Sequence, residues 1–437
     1  MCVAVIYRSV HLVAVLCCWC LAGLVQAEEP ESEDKWWNYG IQVSGGYFNF
    51  RNSLYQEIDP DPPGNLGDDW TEFAIKPWVS FERDTSAGTW FGEASWAYAR
   101  TGDDASEVSG GHASSTDFDS LYLGWRYGSV ESGQLEVAGG RYPYQIAHGF
   151  LLADGYADGG SRGALWTNPR TAWAPGGRLQ YRLRGHKAEI FYLERDDRPE
   201  WEADIRLSGA NYEWQSADQA WTLGASYMKF RASELERQID GADVWNVRIY
   251  TRPFVIPLTI EAEWAFEDNG LLLDSNAWYI QPYWTWENVA WQPTLYYRYA
   301  VFEGDDPDTL ADEDFDPLFP AFHDWGSWWQ GEIAGEYFLA NSNLKTHMLR
   351  LHTAPRSNIG TGLLYFDYSL DQPGSFEGGV SSDKVARELN WYMDWSVNEL
   401  FTFSFVLARN NPGPAIEEAY GRTKSFKYAM VFLMFSY

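Results

Sequence analysis

The last ten residues, YAMVFLMFSY (428–437), decide how the chain must be read. Ala429, Val431, Leu433, Phe435 and Tyr437 alternate to the final residue, the period of a β-strand. A terminal strand closing on Phe435 and Tyr437 resembles the signal by which outer-membrane barrels are recognised for insertion. The segment after residue 36 has the same period. Trp37, Tyr39, Ile41, Val43, Gly45 and Tyr47 share one face, while Asn38, Gln42 and Ser44 share the other. Strict period two over ten residues describes a strand with one side in grease and one in water.

The N-terminus predicts export. Arg8 is the sole charge in residues 1–27. An apolar run from Leu12 to Leu24 leads to Val25-Gln26-Ala27, and Glu28 opens an acidic segment over 28–36. This is the layout of a cleaved signal peptide over 1–27. A lipoprotein reading is weak, because Leu16 or Trp19 precedes Cys17 or Cys20. All four cysteines (Cys2, Cys17, Cys18 and Cys20) lie in this segment, so a mature chain has no disulfide, thiol nucleophile or cysteine metal site.

No later run approaches the roughly 18 apolar residues of a membrane-spanning helix. Yet the chain holds 24 Trp, 27 Tyr and 24 Phe. Membrane barrels place such residues in girdles at the two interfaces. The net charge of -30 argues against nucleic acid as a partner and suits solvated outer loops. The expectation is an all-β fold: one transmembrane antiparallel β-barrel over 37–437.

Loop length fixes the strand count. Periplasmic turns are short, outer loops are long, and the strand number is even. Eighteen strands satisfy this rhythm. Trp328–Leu339 looks like a nineteenth, but counting it would place the acidic stretch 303–326 in the periplasm. It is therefore assigned to one outer loop, 303–343. Pro77, Pro282 and Pro293 count against the scheme, because a closed barrel has no edge strand; bulges or strand ends are the places left for them. A soluble sandwich or solenoid is the alternative; no repeat period supports a solenoid.

If lipid-facing positions are apolar, the alternate ones face a lumen. The basic residues so assigned are Lys76, Arg126, Arg182, Arg184, Lys187, Arg206, Arg248, Arg298 and Arg350. In the strand 176–185, Leu179, Tyr181 and Leu183 face out while Gln180, Arg182 and Arg184 face in. A charge in lipid at mid-depth would cost roughly 2–4 kcal/mol. The acidic set is Glu72, Glu93, Glu136, Glu189, Glu261, Glu263, Asp367, Glu388 and Asp394. Two readings compete for these charges: a track for an anionic solute, and an ion-pair network that stiffens the wall. Tyr250, Tyr279, Tyr283, Tyr296, Tyr365 and Tyr392 are assigned inward, as wall filling or as platforms for sugar rings.

Two long loops are expected to fold into the lumen. Residues 143–175 are rich in glycine and aromatics. Residues 303–343 open with Glu303, Asp305, Asp306, Asp308, Asp312, Glu313, Asp314 and Asp316 and become aromatic after Trp325. Asp312, Asp314 and Asp316 imitate the start of a calcium loop, but Pro317 stands where its glycine belongs. A solvated acidic loop is the preferred reading, with no metal or cofactor. The acidic loops are also candidates for divalent cations that bridge lipopolysaccharide.

The second loop carries a resemblance. Phe302, Gly304-Asp305-Asp306-Pro307, Phe315-Asp316-Pro317-Leu318-Phe319, Trp325-Gly326, Trp329-Gln330-Gly331-Glu332-Ile333 and Asn341-Ser342-Asn343-Leu344 resemble the alginate-export family of outer-membrane proteins. Lys76-Pro77-Trp78, Gly140-Arg141 and Gly149-Phe150-Leu151 are similar to it too. The resemblance implies a monomeric 18-stranded barrel. It further implies a pore for an anionic polysaccharide, with a basic constriction gated by loops and Lys76 in its lining. Ser44 and Asp119 stand where that pattern leads one to expect basic residues, which dilutes the lining.

Three functions follow. The first is a channel for an anionic or carbohydrate solute, in contact with membrane lipids and lipopolysaccharide; an exporter would also need a periplasmic partner, which nothing in the sequence identifies. The second is a plugged structural or adhesive barrel. The third is a barrel enzyme, for which His347 at the outer wall and His352 in the lumen are the histidines to weigh; neither shows a partnered serine or acid.

Overall fold

A computed structural model describes residues 36–52, 67–102, 112–199, 203–233, 236, 238–253, 256–321, 328, 330–421 and 423–437. The expected signal peptide and residues 28–35 lie outside these, as does Trp325.

The strands are β1 (Trp37–Arg51), β2 (Gly67–Thr85), β3 (Gly88–Gly102), β4 (Ser114–Ser129), β5 (Gly133–Tyr142), β6 (Trp173–Leu183), β7 (His186–Glu194), β8 (Arg206–Gln215) and β9 (Trp221–Arg231). They continue as β10 (Asp243–Thr251), β11 (Leu258–Asp268), β12 (Asp274–Thr285), β13 (Thr294–Phe302), β14 (Leu344–Arg356), β15 (Ile359–Leu370), β16 (Lys384–Ser396), β17 (Phe401–Pro412) and β18 (Phe426–Ser436). These are the eighteen strands that the loop rhythm predicts. Each pairs antiparallel with its sequence neighbour, and β1 pairs with β18 from Gln42↔Ser436 to Arg51↔Lys427. Ile41 and Tyr437 exchange backbone hydrogen bonds at 2.9 and 3.0 Å, completing the seam. Closure matters because lipid offers no partner to an unpaired strand edge.

The prolines sit where the ladder tolerates them. On β2–β3 the pairing skips from Ile75↔Tyr98 to Trp78↔Ser95, and Pro77 falls in the gap. On β12–β13 it skips from Ile280↔Tyr299 to Tyr283↔Tyr296, around Pro282. Pro293 immediately precedes β13.

Alternation sorts the wall. Leu121, Leu123, Val137, Ile190, Val247, Trp264 and Leu407 are exposed on the outside. Their strand neighbours Glu136, Glu189, Arg248, Glu263 and Asn410 are buried inside. Outer aromatics pair across strands, as in Tyr227–Trp245 at 4.5 Å and Trp278–Tyr299 at 5.5 Å.

Residues 143–172 and 303–343 connect β5 to β6 and β13 to β14. Trp173, Ala174 and Pro175, read from sequence as loop, instead open β6, because Trp173 pairs with Tyr142. In place of a nineteenth strand, Gly331–Phe338 forms a π-helix. The two loops join each other: Ala153 N–H donates to Phe319 O at 2.8 Å, Phe319 N–H to Leu151 O at 3.0 Å, and Ala321 N–H to Gly149 O at 2.8 Å. Around this junction Phe150, Trp328 and Tyr279 meet at 4.3–5.3 Å between rings. Phe302, at the end of β13, packs against Phe315 of the second loop with ring centroids 5.8 Å apart.

Candidate functional site

Inward charges form a belt. Arg126 on β4 bonds Glu136 at 2.8 Å and Glu82 at 3.1 Å. Arg178 on β6 bonds Glu136 and also Glu189 at 3.2 Å. Lys187 reaches Glu189 at 3.3 Å and Glu213 at 2.8 Å. Arg248 on β10 then bonds Glu213 at 2.7 Å, Ser226 at 2.9 Å, Asn246 at 3.0 Å and Asn211. Asn246 hands the chain to Glu263, which also accepts from Tyr250 and, at 3.1 Å, Tyr279. Glu261 accepts from Gln281 at 3.0 Å. From β2 to β10 cations and carboxylates therefore alternate within bonding distance, the pattern of a stiffened wall, and from β10 to β12 neutral amides and phenols continue it. Buried charge is tolerable only when paired in this way.

The loops are stapled to the wall by carboxylates. Glu72 accepts the N–H groups of Trp166 at 2.8 Å and Thr167 at 2.9 Å. Asp119 accepts Thr171 N–H at 2.9 Å and Ala172 N–H at 3.1 Å, and holds Lys76 at 2.9 Å. Lys76 also donates to Pro169 O at 2.8 Å. Ser44 donates to Thr167 O at 2.6 Å. Ser44 and Asp119, where basic residues were expected, thus both anchor the first loop. Arg170, fully buried, bonds Tyr156, Ser115 and the Ala97 carbonyl. Far from these anchors the same loop places His148 flat on Tyr250, 4.4 Å away, with Glu261 at 3.6 Å. The Glu261 carboxylate beside it raises the His148 pKa.

The second loop is held by Glu388, which accepts Ile333 N–H at 3.0 Å, Ala334 N–H at 2.8 Å and Asn410 at 3.0 Å. Tyr368 donates to Gln330 O at 2.6 Å. Glu332, from the same turn, is buried, and burial pushes its pKa well up. Asp306 receives Asp308 N–H, Asp312 receives Asp314 N–H at 3.1 Å, Asp314 receives Asp305 N–H at 3.0 Å, and Asp316 receives Leu318 N–H at 2.9 Å. The would-be calcium residues thus serve local turns, and among the described residues no cluster suits a metal.

The wall from β13 to β16 is different. Arg298 lies 4.8 Å from the Trp328 ring. Arg350 lies between the rings of Tyr296 and Tyr392, at 5.0 and 5.4 Å, and donates to the Tyr392 hydroxyl at 2.7 Å. His352 bonds the same hydroxyl at 2.7 Å, and Tyr283 stacks on Tyr296 at 4.7 Å. Asp394, further down β16, accepts Ser404 at 2.6 Å. On this wall guanidinium and phenol groups lie side by side on the inner face, with Arg298, Arg350 and Tyr392 buried.

Parity corrects several assignments. Arg206 shares the outer face of β8 with Tyr212 and approaches Glu194 at 3.5 Å; Leu207 is the residue that turns inward. An arginine above the apolar band pays no lipid penalty, so the rule that forced it inward does not apply there. Tyr365 and Asp367 likewise face out on β15, with Asp367 bonded to Arg387 at 3.1 Å, because Leu364, Phe366 and Tyr368 fill the inside. Arg184 lies in the turn after β6, with φ 52°. Arg182 keeps the inward parity of Gln180. Arg178 was missed, although the same alternation puts it inward. Arg162 was also missed; it bonds Asp196 at 2.6 Å, and no strand period reaches a loop residue. Of the histidines weighed as bases, His347 bonds Tyr297 at 2.8 Å on the outer wall.

No family model and no curated protein matches this chain. Solved structures do. OccAB2 of Acinetobacter baumannii shares 11% identity and a TM-score of 0.61, over 92% of this chain and 98% of that one. OccAB4 of the same organism shares 13% identity and 0.57, over 93% and 100%. The outer membrane protein OpdK of Pseudomonas aeruginosa shares 10% and 0.57, over 92% and 98%. The fold is that of outer-membrane porins. The alginate-export resemblance is thereby reduced to its coarser content, an outer-membrane β-barrel.

Proposed function

We propose that this chain is an outer-membrane channel that passes a small anionic or carbohydrate solute. One observation carries the reading: a closed 18-stranded wall with an apolar outside and a charged inside. Barrels of about this strand number leave an aqueous path, and polar inner faces serve water and solute rather than lipid. A monomeric working unit is what the alginate-export resemblance implies, and one chain closing a whole barrel is compatible with it.

Arg298 and Arg350 support an anionic solute. A guanidinium meets a carboxylate in a fork, and the neighbouring Tyr296, Tyr392 and Trp328 suit a flat ring. OpdK has been solved with vanillate, and an aromatic carboxylate of that kind fits this patch in chemistry. Alginate is a finer reading that rests on the resemblance alone. A second reading, a plugged barrel, is favoured by the aromatic core that the two loops build around Phe150 and Trp328.

Planar-bilayer conductance under a salt gradient, with vanillate and uronate oligosaccharides added in turn, tests these readings. Anion-selective current blocked by vanillate supports the small-anion channel. Block by the oligosaccharide alone supports the polymer. A folded barrel that carries no current overturns the channel and leaves the plug.

A further inference from the structure

On the outer rim, three cations stand in one row. Arg409 on β17 is in register with Lys427 on β18, and Lys427 with Arg51 on β1. Each shares the outer parity of its strand, Arg409 with Leu407 and Lys427 with Ala429 and Val431. Register partners lie about 4.5–5.5 Å apart, and like charges set directly opposite destabilise a sheet. Elsewhere on this rim cations are matched by carboxylates: Arg206 by Glu194 at 3.5 Å, Lys229 by Asp243 at 2.7 Å, Lys345 by Asp371 at 2.7 Å. Arg409 instead donates to neutral acceptors, Asn411 at 3.1 Å and Ser425 at 3.0 Å. Exposed Lys424 adds a fourth charge in the approach to β18. Carboxylates near this end include Asp367, bonded to Arg387 at 3.1 Å, Asp383, bonded to Lys384 at 3.2 Å, Glu418, which accepts Ser381 N–H at 2.6 Å, and Asp69, which accepts Tyr47 at 3.3 Å. In a chain of net charge -30, this row concentrates positive charge at the top of an apolar wall.

We propose that the facing pair Arg409 and Lys427 docks the phosphorylated headgroup of a glycolipid in the outer leaflet. Its position selects the partner. Leu407, Val431 and Leu433 lie directly below on the same faces, so a ligand with acyl chains and phosphate engages both zones, whereas a free anion engages only one. Phosphate oxygens between register partners turn like-charge repulsion into charge-assisted hydrogen bonds. The inference rests on the reading above only in placing the long-loop end outside the cell.

The test uses the intact protein in detergent, with diphosphoryl lipid A, its dephosphorylated form and inorganic phosphate as probes. Wild type is expected to bind diphosphoryl lipid A about tenfold more tightly than the phosphate-free form. The Arg409→Gln, Lys427→Gln double variant loses that preference, while Arg206→Gln, Lys229→Gln keeps it. Heat-modifiable migration checks folding; if the double variant fails it, the single exposed change Lys427→Gln reads the same loss at about threefold. Unchanged binding by a folded variant overturns the proposal. So does equal binding of the two lipids, or displacement of lipid A by low inorganic phosphate. Conductance in phospholipid bilayers stays unchanged in the double variant, so failure of the channel reading is scored separately.

Discussion

Gly224 and Arg248 occupy facing positions on β9 and β10. A Cβ at Gly224 would stand 2.4 Å from Arg248 Nε, so the absent side chain is the space in which the guanidinium lies. Arg248 in turn gathers Glu213, Asn211, Ser226 and Asn246. Arg248→Ala strands these acceptors, and we expect a loss on the order of 2–3 kcal/mol, since Glu213 keeps Lys187. Denaturant unfolding in micelles measures it. Gly224→Val should give a loss of the same sign by expelling the guanidinium from its slot. At this scale the sequence was informative wherever one face of a strand had to be apolar. Arg248, Arg298, Arg350, Glu261, Glu263 and Glu388 face inward as the alternation required. Their partners were not legible, because Arg248 and Glu213 are brought together by strand register across 35 residues of chain. Arg206 was misplaced because the lipid penalty that sorts charges ends with the apolar band.

The two inward loops are elements held at both ends by named groups, so each can be loosened separately. Glu388 is the single acceptor for two consecutive N–H groups at the start of the π-helix. Gly331, at φ 96°, sits there because a Cβ would meet Tyr368 at 2.4 Å. Glu388→Ala is expected to release the second loop and raise single-channel conductance, with strands intact by circular dichroism. His148 docks the tip of the first loop. Its pKa is raised by Glu261, so the ion pair is fully formed below the ordinary histidine value and is lost as pH rises through the raised one. Current noise should therefore grow in wild type as pH rises above the ordinary histidine value. In His148→Gln it should be flat; an identical pH response in that variant would exclude His148 as the cause. Sequence showed that both loops were too apolar to float. It could not show that Leu151 and Ala153 would bond Phe319, since that contact is set by where the barrel delivers each loop.

For the whole molecule, the wall divides two solvents. Leu433→Arg on the outside of β18 should cost roughly 2–4 kcal/mol at mid-depth, while Ser404→Arg on the lumen face of β17 should cost far less. Refolding into lipid vesicles compares them; equal penalties would contradict the assignment of faces. The sequence alone determined that the chain is an 18-stranded barrel, because a two-residue period and alternating loop lengths are local properties that every strand repeats. It also determined which face of most strands is polar. The tertiary structure decided what those polar residues do. Whether an inward arginine reaches a carboxylate, as Arg126 and Arg178 reach Glu136, or comes to lie against rings, as Arg350 does against Tyr296 whatever else it bonds, depends on register and curvature. Those arise only when the sheet closes and sets side chains from distant strands within a hydrogen bond of one another.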